Sequence, residues 1–357
     1  MRRLQLVLAV VSCLSTAASS TPSFAEDEHG GAPPLERLFE ALRGGERWTA
    51  RMEAALLLGR SGDLSARRPL ERALLDEHYA VRAASARALA HLGDARALPP
   101  LFELLTDDEP LVRSEARRAL DRFSLAEAQP HLVAALRTHP DARVRLFSAE
   151  RLRERPTAET VAILLDATGG EDEVARFCAS ALAALPRERA LEAFLSGLGH
   201  GDYRVQLASL AALAELEAVE AAEPVVQMLD ARLPEVTLAA ARTLRALAPR
   251  LDRETWRVRA LRADRFERAR ALKVLGALGG EDSVRLLLGA MADPDVLVRG
   301  AAVSALFVLG DPRAIPRLRQ MKKDEANARI ISLVRLTLGA LERQQALSAS
   351  SPAEGER

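Results

Sequence analysis

Apolar positions along this chain carry two nested periods. Within short stretches they fall three and four residues apart, the spacing of one helix face. The stretches themselves recur about every 31 residues, beginning at Ala50, Val81, Val112, Val144, Val174, Val205, Val236, Glu267, Val298 and Ala328. Four residues after each start stands a small residue: Ala54, Ser85, Ala116, Ser148, Cys178, Ser209, Ala240, Ala271, Ala302 and Ser332. Eight residues after each start stands a leucine, from Leu58 to Leu336 without exception. A fixed period of this length is the signature of a repeat array.

Positions +4 and +8 lie one helical turn apart on the same face. The small residue admits a neighbouring helix, and the leucine fills the space beside it. A second helix follows in each repeat. Its position +20 reads Leu70, Leu101, Leu132, Leu164, Phe194, Val225, Trp256, Leu287 and Leu318. Breakers such as Gly62-Asp63, Gly93-Asp94 and Gly310-Asp311-Pro312 separate the two helices. Pro69, Pro99, Pro130 and Pro316 fall where the second helix should begin, and a missing N–H does no harm there. A hairpin of this kind cannot bury its apolar face alone, and stacking buries it. The predicted fold is an all-α superhelical solenoid of about nine helix hairpins. Capping helices close it, one over about 34–44 and one over about 325–342. Residues 26–33 and 343–357 read as disordered on composition.

Composition agrees. The chain is 48% hydrophobic but only 4% aromatic, so its core is aliphatic. Formal net charge is zero, which gives no general attraction for nucleic acid. Arg2 and Arg3 precede an apolar run from Leu4 to Leu14, and Ser23-Phe24-Ala25 offers small residues for cleavage. This is the anatomy of a secretory signal over 1–25, cut after Ala25. The mature chain then carries 48 basic and 50 acidic residues. It has no other run fit to cross a bilayer, and it is expected in the periplasm or outside the cell. Val10-Val11-Ser12-Cys13 offers an alternative, a lipoprotein anchored through Cys13. Removal of the signal leaves Cys178 as the single cysteine, so no internal disulfide forms.

Val81-Arg82 through Ala88-Leu89 and Leu92-Gly93-Asp94 resembles the short HEAT repeat first associated with phycobilin lyases. So does Val298-Arg299 through Ala305-Leu306 and Leu309-Gly310-Asp311. The likeness covers 34–342. It implies a HEAT- or armadillo-like solenoid acting as an interaction scaffold, and it is nearly silent on what is bound. It also implies that the arginine at +1 pairs with an aspartate of a neighbouring turn, a role that suits Asp76, Asp107 and Asp293. Such a ladder is expected to be exposed and of small value per pair. Repeats five to seven depart, with Ala175, Gln206 and Thr237 at +1.

Catalytic constellations are missing from the sequence. No two of His29, His78, His91, His131, His139 and His200 stand at helical ligand spacing, so no metal is expected. Deoxyhypusine hydroxylases, HEAT-like enzymes that bind iron through His-Glu pairs, are not matched, since no His-Glu step occurs. No Gly-rich phosphate loop or nucleophile elbow is present, and no cofactor is expected. Cys178 reads as a packed thiol in a slot that is otherwise Ala or Ser. Trp256 reads as core, with Ala260 compensating its volume.

Charge is uneven in one place. Residues 205–231 hold five acids and no base, and 232–273 hold twelve bases against five acids. Arg253 and Arg257 occupy +17 and +21, positions that are apolar in most repeats. They are the candidate partner-binding residues, docking an acidic protein or an anionic envelope component. The expected function is a non-enzymatic protein-interaction scaffold of the bacterial envelope. Its rivals are an enzyme or lyase-like factor with a site assembled on the concave face, and a lipid-anchored structural protein.

Overall fold

The computed structural model describes residues 34–170 and 172–350. The predicted signal, the linker over 26–33 and residues 351–357 lie outside that range. The chain divides into two compact bodies, the first up to Ile163 and the second from Leu164.

In the first body, helix α1 (Leu35–Gly44) precedes the hairpins α2 (Trp48–Ser61) and α3 (Arg67–Ala73), then α4 (Tyr79–Leu92) and α5 (Leu98–Glu103). Next come α6 (Pro110–Leu120) with α7 (Leu125–Thr138), and α8 (Ala142–Leu152). Helix α9 (Ala158–Ala167) carries the division. The second body continues with α10 (Glu173–Ala183) and α11 (Arg187–Leu198), then α12 (Tyr203–Glu215) and α13 (Ala222–Gln227). The hairpins α14 (Pro234–Leu247) with α15 (Arg253–Arg262), α16 (Arg265–Leu278) with α17 (Glu281–Ala290), and α18 (Val296–Leu309) with α19 (Ile315–Asp324) follow. Helix α20 (Ala328–Ser350) comes last. Among the described residues there is no strand, and no helix is long and apolar enough to cross a membrane.

The repeat positions do what their chemistry requires. Nine of the ten +4 residues, Ala54 to Ala302, are fully shielded from solvent, and nine of the +8 leucines are buried beside them. First helices pack on first helices: α2 on α4 and α4 on α6 in the first body, α14 on α16 and α16 on α18 in the second. The approach is closest where glycine meets alanine. A Cβ on Gly59 would lie 2.6 Å from Ala88 Cα, and one on Gly276 would lie 2.7 Å from Ala305 Cβ. Those contacts leave no room for any side chain at either glycine.

The Gly-Asp breakers have a two-part mechanism. Gly62, Gly93 and Gly310 end their helices in the left-handed region, at φ 71°, 67° and 72°. That backbone costs glycine nothing. The following aspartate then accepts an amide two residues on, Asp63 from Ser65 at 2.8 Å, Asp94 from Arg96 at 3.0 Å and Asp311 from Arg313 at 2.9 Å. Pro99 and Pro316 fall in the first turn of their helices as expected, but Pro130 lies inside α7. A capping box between Ser124 and Glu127 starts that helix early, before the proline is reached.

The last repeat also departs from expectation. Leu336 is 54% exposed, and Ala328 and Ser332 are exposed with it. Ile330, Val334 and Leu338 are buried in their place. Asn327 caps α20 by accepting the amides of Arg329 and Ile330, so the register starts two residues later than leucine spacing suggested. Helix α20 also runs beyond 342 as far as Ser350, where a disordered tail was expected.

The +1 arginines form a ladder, and the expectation that it is exposed is corrected. Arg82 and Asp107 retain only 16% and 9% of their side-chain exposure, and Arg299 and Glu325 retain 20% and 6%. Arg51, Arg82 and Arg299 each present the Nε–Nη2 edge side-on to a carboxylate 25 or 26 residues later, at 2.7–3.1 Å. Through Nη1 the same arginines reach a carbonyl six residues earlier, Gly45, Asp76 and Asp293 respectively. Each guanidinium therefore ties two consecutive loops together, with the bidentate geometry that makes such pairs strong. In the departing repeats, Gln206 and Thr237 keep only the carbonyl contact, to His200 and Ala231.

Candidate docking groove

Trp256 is buried in its +20 slot, as the core reading expects, with Ala260 buried one turn on. Its face carries the Arg259 guanidinium, 4.9 Å from the ring centroid. The same helix, α15, turns Val258 and Leu261 to solvent, with Leu261 62% exposed.

Arg253 and Arg257 part company in the structure. Arg253 points to the end of α16, donating from Nη1 to the Gly279 carbonyl at 2.7 Å and from Nη2 to that of Leu278 at 3.2 Å. It satisfies carbonyls that every helix end leaves open. Gly280, at φ 94°, admits it; a Cβ there would sit 2.7 Å from Nη1. Arg253 thus caps a helix end while the residue itself stays exposed. Arg257 does reach a groove of about 500 Å³ between α15 and α17, and it lines that groove with Leu261, Leu272, Leu286 and Gly289.

Much of the uneven charge is internally compensated. Within the second body, Glu217 pairs with Arg250 and Asp230 with Lys273, while Glu223 meets Arg270 at 2.5 Å and Arg259 at 3.8 Å. Glu220 pairs with Arg187 at 3.1 Å. The acidic stretch is therefore a counter-surface for the basic one, not half of a bare dipole. Arg232, Arg242 and Arg262 are exposed and have no partner among the described residues.

Other candidate chemistry resolves into structure. His139 and His200 stand in the loop slot held elsewhere by Asp76. Each accepts a backbone amide at Nδ1, from Asp141 at 3.1 Å and Asp202 at 3.0 Å. His78 caps α4 and stacks between Trp48 and Tyr79, with ring centroids 4.1 and 4.8 Å away. Cys178 is fully buried, and burial pushes its thiol up to about 12. No group of three or more His, Cys, Asp or Glu among the described residues is placed to hold a metal ion.

The described carboxylates that depart from ordinary acidity all depart downward. Burial works against ionisation of Asp76 and Asp107, but hydrogen bonds from Arg51 and Arg82 and from backbone amides outweigh it. Asp94 and Asp311 are held low by Arg96 and Arg313. Such groups are fixed anions that organise loops, unlike the raised carboxyls that donate protons in catalysis.

The chain belongs to the HEAT repeat family. Its sequence matches the family's HEAT repeats over residues 35–121, 104–176 and 254–339, more than half its length. No curated protein sequence matches it. Among solved structures it is similar to an engineered protein, at 20% identity over 86% of this chain and 98% of that one, with a TM-score of 0.27. It is similar to the karyopherin Kap121p at 13% identity, over 90% of this chain and 44% of that one, with a TM-score of 0.38. This chain thus spans less than half the length of that karyopherin. Human deoxyhypusine hydroxylase matches at 20% identity over 77% of this chain and 95% of that one, with a TM-score of 0.28. The family assignment rests on the repeat match.

Proposed function

We propose that this chain is a non-enzymatic protein-interaction scaffold of the bacterial envelope, and that the groove between α15 and α17 is a docking surface. The HEAT-repeat fold is typical of protein-interaction scaffolds. The observation that carries the choice of surface is Leu261, left 62% exposed beside the groove, with Val258 43% exposed on the same helix. Exposed apolar surface rimmed by charge marks interaction sites. Placement in the envelope rests on the export anatomy of residues 2–25, with the mature chain starting at Glu26 and working in the periplasm or outside the cell.

A photoreactive residue placed at position 261, followed by in-cell crosslinking and mass spectrometry, tests the surface. One reproducible envelope protein, crosslinked at 261 but not from an exposed position such as 64 in the first body, supports the reading. Crosslinks equal at both positions, or none at either, remove it. N-terminal sequencing of the exported chain tests the address. A start at Glu26 supports cleavage after Ala25, and a lipid-modified Cys13 replaces it with the lipoprotein alternative.

A further inference from the structure

We infer that the second body contains a salt-released latch, in which ion pairs from repeat six to repeat eight hold closed a stretch of helices that lacks the arginine ladder. Within this body the ladder is present toward the C-terminal end. Arg268 holds Asp293 at 3.0 and 3.3 Å, and Arg299 holds Glu325 at 2.8 and 3.1 Å. Repeats six and seven have no guanidinium at +1. Gln206 and Thr237 keep the carbonyl of the preceding loop. The place 25 residues on, filled by Asp293 for Arg268, holds Ala231 and Arg262 instead. The loop before α14 is therefore joined to its neighbouring loops by no ladder pair.

The opposite edge of the same repeats is tied. Thr243 donates to the Leu210 carbonyl at 2.8 Å in a buried bond between α14 and α12. Arg245 donates from Nε to the Ala277 carbonyl at 3.1 Å, and Arg253 holds that of Gly279 at 2.7 Å, both at the end of α16. Repeats six to eight thus share a fastened edge at the ends of their first helices. The edge formed by the loops before those helices is the free one.

Charges alone close the free edge. Asp230 pairs with Lys273, and Glu223 meets Arg270 at 2.5 Å, each reaching over repeat seven to α16 in repeat eight. The acids are open to water, Asp230 with 65% and Glu223 with 53% of its side chain exposed, whereas Glu325 in the ladder keeps only 6%. Exposed pairs are screened by salt and shielded ones far less; the Debye length falls from about 30 Å at 0.01 M to about 3 Å at 1 M. Close packing does not take over where the latch lies. Helix α14 meets α18, two repeats on, beside a cavity of about 290 Å³ whose walls include Asp230, Thr237, Lys273, Ser304, Phe307 and Leu336. That space lets the free edge move when the charges let go, and the cavity opens with it. The cue for this device is ionic strength.

Spin-label distances on the purified full chain test the latch, with Cys178→Ser and cysteines introduced at exposed positions 232 and 294, the loops before α14 and α18. A second pair, 294 and 326, spans the ladder-bearing repeat nine. At low salt both distances should be narrow. At 1 M salt the 232–294 distance should lengthen by about 5 Å, half a helix diameter, and broaden, while 294–326 stays fixed. Arg270→Gln with Lys273→Gln should give the open distance already at low salt. Thr237→Arg with Arg262→Asp, which restores a ladder pair across repeat seven, should remove the salt response. Melting curves check that each variant folds, and the salt series on the parent needs no variant. A 232–294 distance that ignores salt overturns the latch. Equal broadening of both distances overturns its placement at the missing ladder. A salt response that survives Arg270→Gln with Lys273→Gln overturns the role of these two pairs.

Discussion

Arg82 and Asp107 meet side-on, Nε to Oδ2 at 2.7 Å and Nη2 to Oδ1 at 2.8 Å, while Arg82 Nη1 holds the Asp76 carbonyl at 2.9 Å. One side chain thus fixes the loop before its helix and the loop after it. Because the pair is largely buried, removing Asp107 strands a charge. Asp107→Ala should lower stability by about 1–3 kcal/mol, read as a drop in the urea midpoint. Arg82→Lys should recover little, since an ammonium cannot make the fork. Arg96→Ala, which removes an exposed guanidinium from an Asp94 that still has Arg67 at 3.1 Å, should lower the midpoint far less.

Acid should destabilise the first body in two steps. Burial holds the His78 imidazole below its ordinary pKa, with Arg51 and Arg82 adding to the effect and Asp76 and Glu77 opposing it. A lowered folded pKa means stability is complete above the unfolded value, about 6.5, and declines as pH falls below it. Asp76 and Asp107, also lowered, contribute stability that is complete above about 4 and lost on further acidification. Thermal melts across pH should show both steps. His78→Asn, which retains a capping acceptor, should abolish the first and keep the second.

Cys178 should resist modification. Its thiol is buried, and at pKa about 12 it carries almost no thiolate at neutral pH. A bulky thiol reagent should label it only as fast as the chain opens, so labelling should accelerate in urea. Cys178→Ser should fold normally, because Ser85, Ser148 and Ser209 fill the same slot elsewhere. Rapid labelling of the native chain would contradict this account.

Two glycines with different surroundings should respond in opposite directions. Gly59→Ala drives a methyl into Ala88 and should cost about 1–3 kcal/mol by overpacking. Gly289→Ala enters open space within α17 and should stabilise by up to about 1 kcal/mol through helix propensity. Chemical denaturation of the two variants side by side checks both signs.

Arg253 and Arg257 should separate functionally. Arg253→Ala uncaps α16 and should lower stability by about 0.5–1.5 kcal/mol without changing partner capture at position 261. Arg257→Gln should do the reverse, with an unchanged melting curve and weakened capture.

Repeat length, the small residue at +4, the leucine at +8 and the Gly-Asp breaks were all legible in the chain, because each acts on its nearest helical neighbours and recurs. The same local logic placed Trp256 in the core against the pull of exposed Val258 and Leu261. It failed at α20, where Asn327 rather than leucine spacing sets the register. A cap acts on backbone amides, and the pattern of apolar side chains does not record it.

Tertiary structure alone decided how the charges are used. Arg253 and Arg257 are equivalent by spacing, yet one ends on carbonyls 25 and 26 residues away and the other enters a groove with an unpartnered Nε. The acids of 205–231 and the bases of 232–273 look like a dipole in sequence and meet as pairs in space. Long polar side chains reach across helices, so their partners depend on how successive hairpins stack. Burial of small and aliphatic side chains is written into a 31-residue period; the destination of an arginine is set only when its neighbours arrive.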